Sequence, residues 1–163
     1  MAGMNELLAL AADRSPPARA RLATAIGDLA VQAAHSSHAA ELALAADILR
    51  KLIRDVEIPV RRTLAARLAR EPRVPHDLIV DLAHDAIEVA EPSLRDSTVL
   101  NDADLLDVVR RCERQHRMAV ARRQAVSETV SAALVDAGER EVMTTLLANR
   151  GAKLSPPTFD LLI

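Results

Sequence analysis

Aromatic residues are almost missing from this sequence. Phe159 is the only aromatic side chain in 163 residues, although half of the residues are apolar. A core of leucine, isoleucine, valine and alanine suits close-packed helices better than a β-sheet, which favours β-branched and aromatic residues. The composition therefore predicts an all-α fold.

Cysteine and long apolar runs are equally scarce. Cys112 is the only cysteine, so no internal disulfide can form, which suits a reducing cytoplasm. No apolar run approaches the roughly 20 residues of a transmembrane helix, and the N-terminus lacks a signal-peptide pattern. We therefore expect a cytoplasmic protein without a membrane partner.

The sequence also lacks the short motifs that carry catalysis. Its four glycines stand apart at Gly3, Gly27, Gly138 and Gly151, so no phosphate-binding loop exists. Nucleophile-elbow, zinc-protease and P-loop patterns are absent as well. The net charge of −2 gives no strong overall attraction to nucleic acid. We expect a protein that is not an enzyme and needs no cofactor.

Residues 55–85 show the organisation most clearly. Pro59 stands at the head of a helix, where its missing N–H is tolerated. Leu64 and Leu68 then recur at helical spacing on one apolar face. The pairs Glu71-Pro72 and Val74-Pro75 end this helix and open the next one. The stretch is therefore predicted to be a helical hairpin.

This pattern returns about thirty residues later in a degraded form. Asp55, followed by Val60-Arg61, corresponds to Asp85, followed by Ala90. An acid in the turn and an arginine early in the next helix are typical of HEAT-type repeats, where they pair between neighbouring repeats. We expect an α-solenoid of short, irregular hairpins with about 25–30 residues each, shorter than the usual period of ~40. A closed helical bundle is the alternative.

The rest of the chain also shows helical patterns with start and stop signals. Ser15 and Ser155, each followed by two prolines, predict helix starts, as do Glu91-Pro92 and the capping residues Asn101 and Ser127. Leu44 and Leu147 are expected to point inward, and Gly151 to end a helix in a left-handed conformation. The predicted helices span residues 5–12, 16–33, 39–54, a short 86–90, 91–100, 101–112, 116–123, 127–135 and 139–149, with a break at 35–38.

The last start signal carries Phe159, Leu161, Leu162 and Ile163 within a few residues. We interpret it as the beginning of a further repeat. Residues 1–163 are then one helical-repeat domain, the N-terminal part of a longer protein. An apolar end of this kind predicts a weak homodimer through the C-terminal end.

Three segments of the chain carry a family resemblance. They are DILRKLIRDVEIPVRRTLAARLAR, VPHDLIVDLAHDAIEVAEPSLRDSTVLNDADLLDVV and HRMAVARRQAVSETVSAALVDAGEREVMTTLLANRGAKLS. Together they resemble an uncharacterised family of alphaproteobacterial proteins, a domain of unknown function with HEAT-like helical repeats. The resemblance covers about Ala18 to Ser155. It implies a cytoplasmic bacterial protein of greater length, and it supplies no catalytic residues.

An arginine-rich segment is the densest charge cluster. At helical spacing, Arg110, Arg114 and Arg117 share one face. The residues predicted as an interaction surface are Arg110, Arg114, Arg117, Arg122 and Arg123. We favour a non-enzymatic scaffold that binds another protein, in bacterial regulation. Duplex nucleic-acid binding through this arginine-rich face is the alternative, since phosphate contacts need little besides arginine.

We expect the remaining histidine, aspartate and cysteine side chains to have structural roles and not catalytic or metal-binding ones. His76 and His84 are too far apart in sequence to hold one metal ion from one helix, so we expect no metal site. Asp81 and Asp85 are expected to bond to neighbouring arginines and helix N-termini. Cys112 is expected to be a small core residue, without a third group to orient a Cys112–His116 pair.

Overall fold

The computed structural model describes residues 3–36 and 38–163, and within these ranges the fold is all-helical, without a β-strand. The predicted all-α fold is confirmed; the predicted break at 35–38 is partly outside these ranges, at residue 37. A short 3-10 helix, Ile53–Asp55, follows the third α-helix. The α-helices are α1 (Met4–Ala12), α2 (Pro16–Ser36), α3 (Ala39–Leu52), α4 (Ile58–Leu68), α5 (His76–Ala83), α6 (Ile87–Asp96), α7 (Asp102–Arg111), α8 (Arg114–Ala121), α9 (Glu128–Asp136), α10 (Arg140–Ala148) and α11 (Pro156–Asp160).

The even-numbered helices pack side by side in one row, and most of the odd-numbered helices pack side by side in a second row. The even row runs α2, α4, α6, α8, α10, with each helix in contact with the next even one. In the odd row, α3 packs on α5, and α7, α9 and α11 pack in succession. The rows are joined by contacts between helices that follow one another in the chain, such as α2 with α3 and α7 with α8. The chain therefore alternates between two layers as it advances.

The advance is regular along most of the chain. Helices α4, α6, α8 and α10 begin at Ile58, Ile87, Arg114 and Arg140, so their starts are almost evenly spaced. This spacing agrees with the short hairpin length that the sequence predicts.

Side-chain caps stand at three helix starts as predicted. The Ser127 hydroxyl accepts from the Val130 amide at the start of α9, and the Ser155 hydroxyl does the same for Thr158 in α11. Asn101 and Asp104 form a reciprocal capping box that starts α7. Gly138 makes its turn with a φ of 73°, in the left-handed region.

The core is built from leucine and alanine where the rows meet. Small residues such as Ala65 and Ala90 are fully buried, and they let α4 and α6 approach closely. At Gly27 in α2, an added Cβ would lie 2.4 Å from the Leu64 side chain, so glycine makes room for a buried leucine. The largest fully buried side chains are Leu49, Leu68, Leu78, Ile79, Leu82, Leu94, Leu134 and Leu146.

One predicted helix start is wrong. Glu91-Pro92 does not open a helix, because α6 already begins at Ile87 and contains Pro92 in its interior. The lost backbone bond costs about 3 kcal/mol. One buried face that includes Val89 and Leu94 continues across the proline and offsets this cost. The helix ends at Asp96 rather than near residue 100.

Two side-chain orientations and one turn are also corrected. Leu44 is 62% exposed, because it lies about 200° around α3 from the buried Leu42. Leu147 is 45% exposed beside the fully buried Leu146. Gly151 is not left-handed; glycine is needed there because an added Cβ would lie 1.8 Å from the Gln124 carbonyl oxygen.

Within the same described ranges, none of the helices is both long enough and apolar enough to cross a membrane.

Candidate interaction surfaces

The predicted arginine face does not exist as one helix face. Helix α7 ends at Arg111, and Cys112 has an extended backbone with a φ of −95° and a ψ of 175° before α8 begins. The chain therefore changes direction between Arg110 and Arg114. The segment is divided over two helices that belong to different rows.

Arg117 is a structural residue and not a surface residue. Its Nε and Nη2 atoms donate to both carboxylate oxygens of Glu139 at 2.7 and 2.8 Å, and Nη1 donates to the Val109 and Cys112 carbonyls. Only 16% of its side chain is exposed. The hydrogen bond from Arg117 also lowers the pKa of the Glu139 carboxyl. This residue ties α8 to the start of α10.

Arg61 on α4, two even helices before α8, makes the same arrangement. Arg61 is the fourth residue of α4, as Arg117 is of α8, and each donates to a carbonyl five residues upstream. Its second partner is Asp85 at 3.0 Å, just before α6. The predicted pairing of an arginine with the acid of a neighbouring hairpin is thus confirmed for Arg61. At the equivalent position of α6, the buried Ala90 takes the place of arginine.

A second set of side chains ties the C-terminal ends of the even helices. Arg123 follows α8 and donates to the Leu94 and Ser97 carbonyls at the end of α6. Asn149 follows α10 and donates to the Ala121 and Arg123 carbonyls at the end of α8. Carbonyls at helix ends lack intrahelical partners, so these donors satisfy them. Arg123 is therefore also structural, and burial lowers its pKa.

The other three predicted residues are exposed but do not form a cluster. Arg110 lies on α7 in the odd row, whereas Arg114 and Arg122 belong to the even row, on α8 and at its C-terminal end. Arg114 is 3.5 Å from Glu141 across to α10. Of the five predicted residues, only Arg114 and Arg122 face a common groove.

This even-row groove crosses α4, α6, α8 and α10. Its two parts, of about 570 and 460 Å³, both include Glu88 in their walls. Arg62 lies in the first part and Arg122 in the second, so opposite charges alternate along the groove. In the part of the chain that the structure describes, Arg62, Glu88 and Arg122 form no ion pair. The other lining residues that matter here are Ile58, Glu91, Met118 and Glu141.

The sequence did not single out Arg62 or Glu88. An exposed charge on an amphipathic helix is the ordinary case, so nothing local distinguishes either residue. Only the side-by-side packing of α4 and α6 brings them into one groove. A repeat alignment of the even helices would be the one sequence signal able to find them.

Histidine–aspartate pairs connect α5 to α7. The His76 Nε2 atom is 2.7 Å from Asp104, and the His84 Nε2 atom is 3.0 Å from Asp107. Asp81 bonds to Arg50 at 2.6 Å, and Asp85 accepts from Arg61 and from the Ala86 amide, both as expected. Across residues 3–36 and 38–163, no group of three or more His, Cys, Asp or Glu side chains is placed to hold a metal ion.

Cys112 and His116 have separate structural roles. The His116 Nε2 atom donates to the Asp85 carbonyl at 2.9 Å, which ties α8 to the turn before α6. Burial raises the pKa of the half-buried Cys112 thiol, so its reactive thiolate form is disfavoured. The two side chains have the geometry of packing and turn anchoring, not of a nucleophile with its base.

Two further apolar surfaces are exposed, one at each end of the rows. The exposed apolar side chains near α11 are those of Leu147, Phe159, Leu161 and Ile163. The last three belong to the C-terminal end through which the sequence predicts a weak homodimer. Near α1 the exposed apolar side chains are those of Met4, Leu8 and Leu44.

A comparison with known families gives a match over the C-terminal part of the chain. Residues 89–163 match the model of a family described as an uncharacterised protein conserved in bacteria, DUF2336. The matched segment begins inside α6 and includes Arg114, Arg122 and the Arg117–Glu139 pair. Neither the curated proteins nor the solved structures contain a match to the chain. The match supports a bacterial segment of unknown function.

Proposed function

We propose that the chain is a non-enzymatic helical-repeat scaffold that binds another protein, in a cytoplasmic regulatory role in bacteria, and specifically in alphaproteobacteria. The family match supports a bacterial source, and the lone Cys112 suits a reducing compartment. The shape that we propose is an α-solenoid of HEAT-like hairpins. Its support is the two-row packing, the near-constant spacing between the starts of the even helices, and the equivalent roles of Arg61 and Arg117.

The even-row groove is the observation that carries the proposal. Two of the four arginines that line it are already paired, Arg67 with Asp28 and Arg114 with Glu141. Arg62, Glu88 and Arg122 are exposed and unpaired within the described residues, in the order positive, negative, positive. A complementary partner surface places acidic groups opposite the two arginines and a basic group opposite Glu88.

The same groove disfavours duplex nucleic acid. Phosphate contacts need several free cations, and two of the five predicted arginines are bonded to the protein itself. Glu88, Glu91 and Glu141 also line the groove and would repel a phosphate backbone. A protein surface that offers both signs of charge fits this lining better.

Charge reversal tests the proposal. The tagged full chain should capture a protein from a bacterial lysate, and the purified partner should bind the purified chain in calorimetry. In the double variant Arg62→Glu/Arg122→Glu, we expect an affinity loss of at least tenfold. Arg110→Glu is the matched control, because Arg110 is exposed on the odd row, and it should leave the affinity unchanged.

A titration with random duplex DNA separates the alternative. The scaffold proposal expects no measurable binding at physiological salt. Binding that weakens steeply with salt, and that is lost in Arg62→Glu/Arg122→Glu, would replace the scaffold with a nucleic-acid binder.

A further inference from the structure

A second groove of different chemistry lies at the other end of the molecule. It has a volume of about 420 Å³ and runs between α1 and α3, with α2 as its floor. The walls are formed by Met4 on α1 and by Leu44 and Ile48 on α3. Ile26 and Leu29 of α2 form the floor. This N-terminal groove is lined mainly by apolar side chains, whereas the even-row groove carries charged ones.

The groove is flanked by two ridges of exposed apolar side chains. Met4 and Leu8 are one turn apart on α1 and are 71% and 62% exposed. Leu44 stands on the opposite ridge, one turn before Ile48. A small ligand in the groove would leave Leu8 uncovered, because Leu8 lies on the ridge and not in the wall. A helix that lies between the two ridges covers both the groove and Leu8.

The charge of the groove is one-sided. Among the residues that the structure describes, Glu41 is the only carboxylate in its walls, and neither lysine nor arginine lines it. His38, which also lines the groove, lies 3.5 Å from Glu41. A helix with a basic residue opposite Glu41 is complementary, whereas a second copy of this chain would bring another Glu41 to the contact.

We propose that the N-terminal groove docks an amphipathic helix of a partner protein, with apolar side chains between α1 and α3 and a basic residue opposite Glu41. Helices bind such grooves through anchors at helical spacing. This inference rests on the proposed scaffold function and adds a separate site to it.

The absence of tryptophan and tyrosine allows a direct test. The probe is a synthetic helical peptide of leucine and lysine with one tryptophan on its apolar face, and the matched probe has glutamate in place of lysine. With the full chain, the lysine peptide should give a saturable blue shift of its emission, and the glutamate peptide should bind at least tenfold more weakly.

Variants locate the contact. Leu44→Ser should weaken binding of the lysine peptide at least tenfold, and Glu41→Lys should invert the preference between the two peptides. Leu147→Ser is the control, since Leu147 is exposed and apolar at the far end, and it should have no effect. Light scattering on the free chain should show a monomer at the concentrations used.

Three results would overturn the inference. They are equal affinity for both peptides, affinity unaffected by Leu44→Ser and Glu41→Lys, and a dimer that Leu44→Ser dissociates, which would make a second copy the occupant. None of these results touches the scaffold proposal, whose test uses Arg62 and Arg122 in the other groove. The two can therefore fail separately.

Discussion

At the residue scale, the most informative side chains are two arginines in the first turn of even helices, which bond both to a carbonyl upstream and to a carboxylate of a neighbouring helix start. Arg61 and Arg117 each close a turn upstream and bind a carboxylate at the start of the next even helix. A guanidinium group suits this role because its five donors are held in a fixed plane and remain charged. Neither residue is available to a partner.

Replacing Arg117 by methionine should lower stability markedly. The change leaves the Glu139 carboxylate and two carbonyls without their donor in a half-buried setting, at a cost of about 2–4 kcal/mol. Arg114→Met is the matched control on the same helix, and its exposed ion pair should matter by less than about 1 kcal/mol. Urea unfolding followed by circular dichroism measures both, and equal effects would contradict the assignment.

Gly151→Ala should be more damaging than Gly138→Ala. The new Cβ would meet the Gln124 backbone oxygen, which cannot rotate away, at about 3 kcal/mol, the upper end of the usual cost of overpacking. At Gly138 the added group meets nothing and only the left-handed φ is penalised, by about 1 kcal/mol. Thermal unfolding of the two variants gives the order, and the reverse order would refute the close approach at Gly151.

At the element scale, what the sequence predicts depends on how local the cause is. The caps at Asn101 and Ser127 act within three residues, so both were predictable. Pro92 was not, because the same residue opens a helix or is tolerated inside one, and the burial of Val89 and Leu94 decides between these cases. The roles of Arg117 and Arg123 depend on distant turns of the chain, and no local pattern reports them.

The contact between α5 and α7 should respond to pH. The hydrogen bond with Asp104 raises the pKa of His76 above 6.5, with Asp77 adding to the effect, so the folded state holds the proton more tightly than the unfolded state. The stabilisation is therefore complete below about pH 6.5 and is lost as the pH rises through the folded pKa.

The measurement is the stability difference between the wild type and His76→Gln across pH 5 to 8. It should be largest near pH 5.5 and should shrink toward pH 8. Asp104→Asn removes the larger of the two carboxylate contributions, so in that background the pH dependence of the His76→Gln effect should shrink to the part that Asp77 supplies. A difference that is constant with pH would exclude the link.

At the scale of the whole molecule, the two rows distribute stability along the chain. Most helix contacts are with sequence neighbours or with the next helix of the same row, and the ties at Asp85, Glu139 and the helix C-termini are equally short in range. In a solenoid, disturbance at one end stays near that end, whereas in a closed bundle it spreads.

Hydrogen exchange on Leu146→Ala and Leu49→Ala distinguishes the two shapes. Both leucines are fully buried, and each change should cost about 2–5 kcal/mol. We expect Leu146→Ala to speed amide exchange in α8 to α10 far more than in α2 and α3, and Leu49→Ala to do the reverse. The exposed neighbours Leu147 and Leu44 supply control substitutions, and uniform acceleration would favour the closed bundle.

The near-constant interval between even helices has a consequence for how such proteins change over time. In the solenoid that we propose, where the starts of α4, α6, α8 and α10 are almost evenly spaced, duplicating or deleting one whole hairpin brings equivalent surfaces together again. A small insertion inside a helix instead rotates every later side chain by about 100° per added residue, which turns the buried face toward solvent. Natural relatives should therefore differ in length by multiples of one hairpin, and intermediate insertions should fall in the loops.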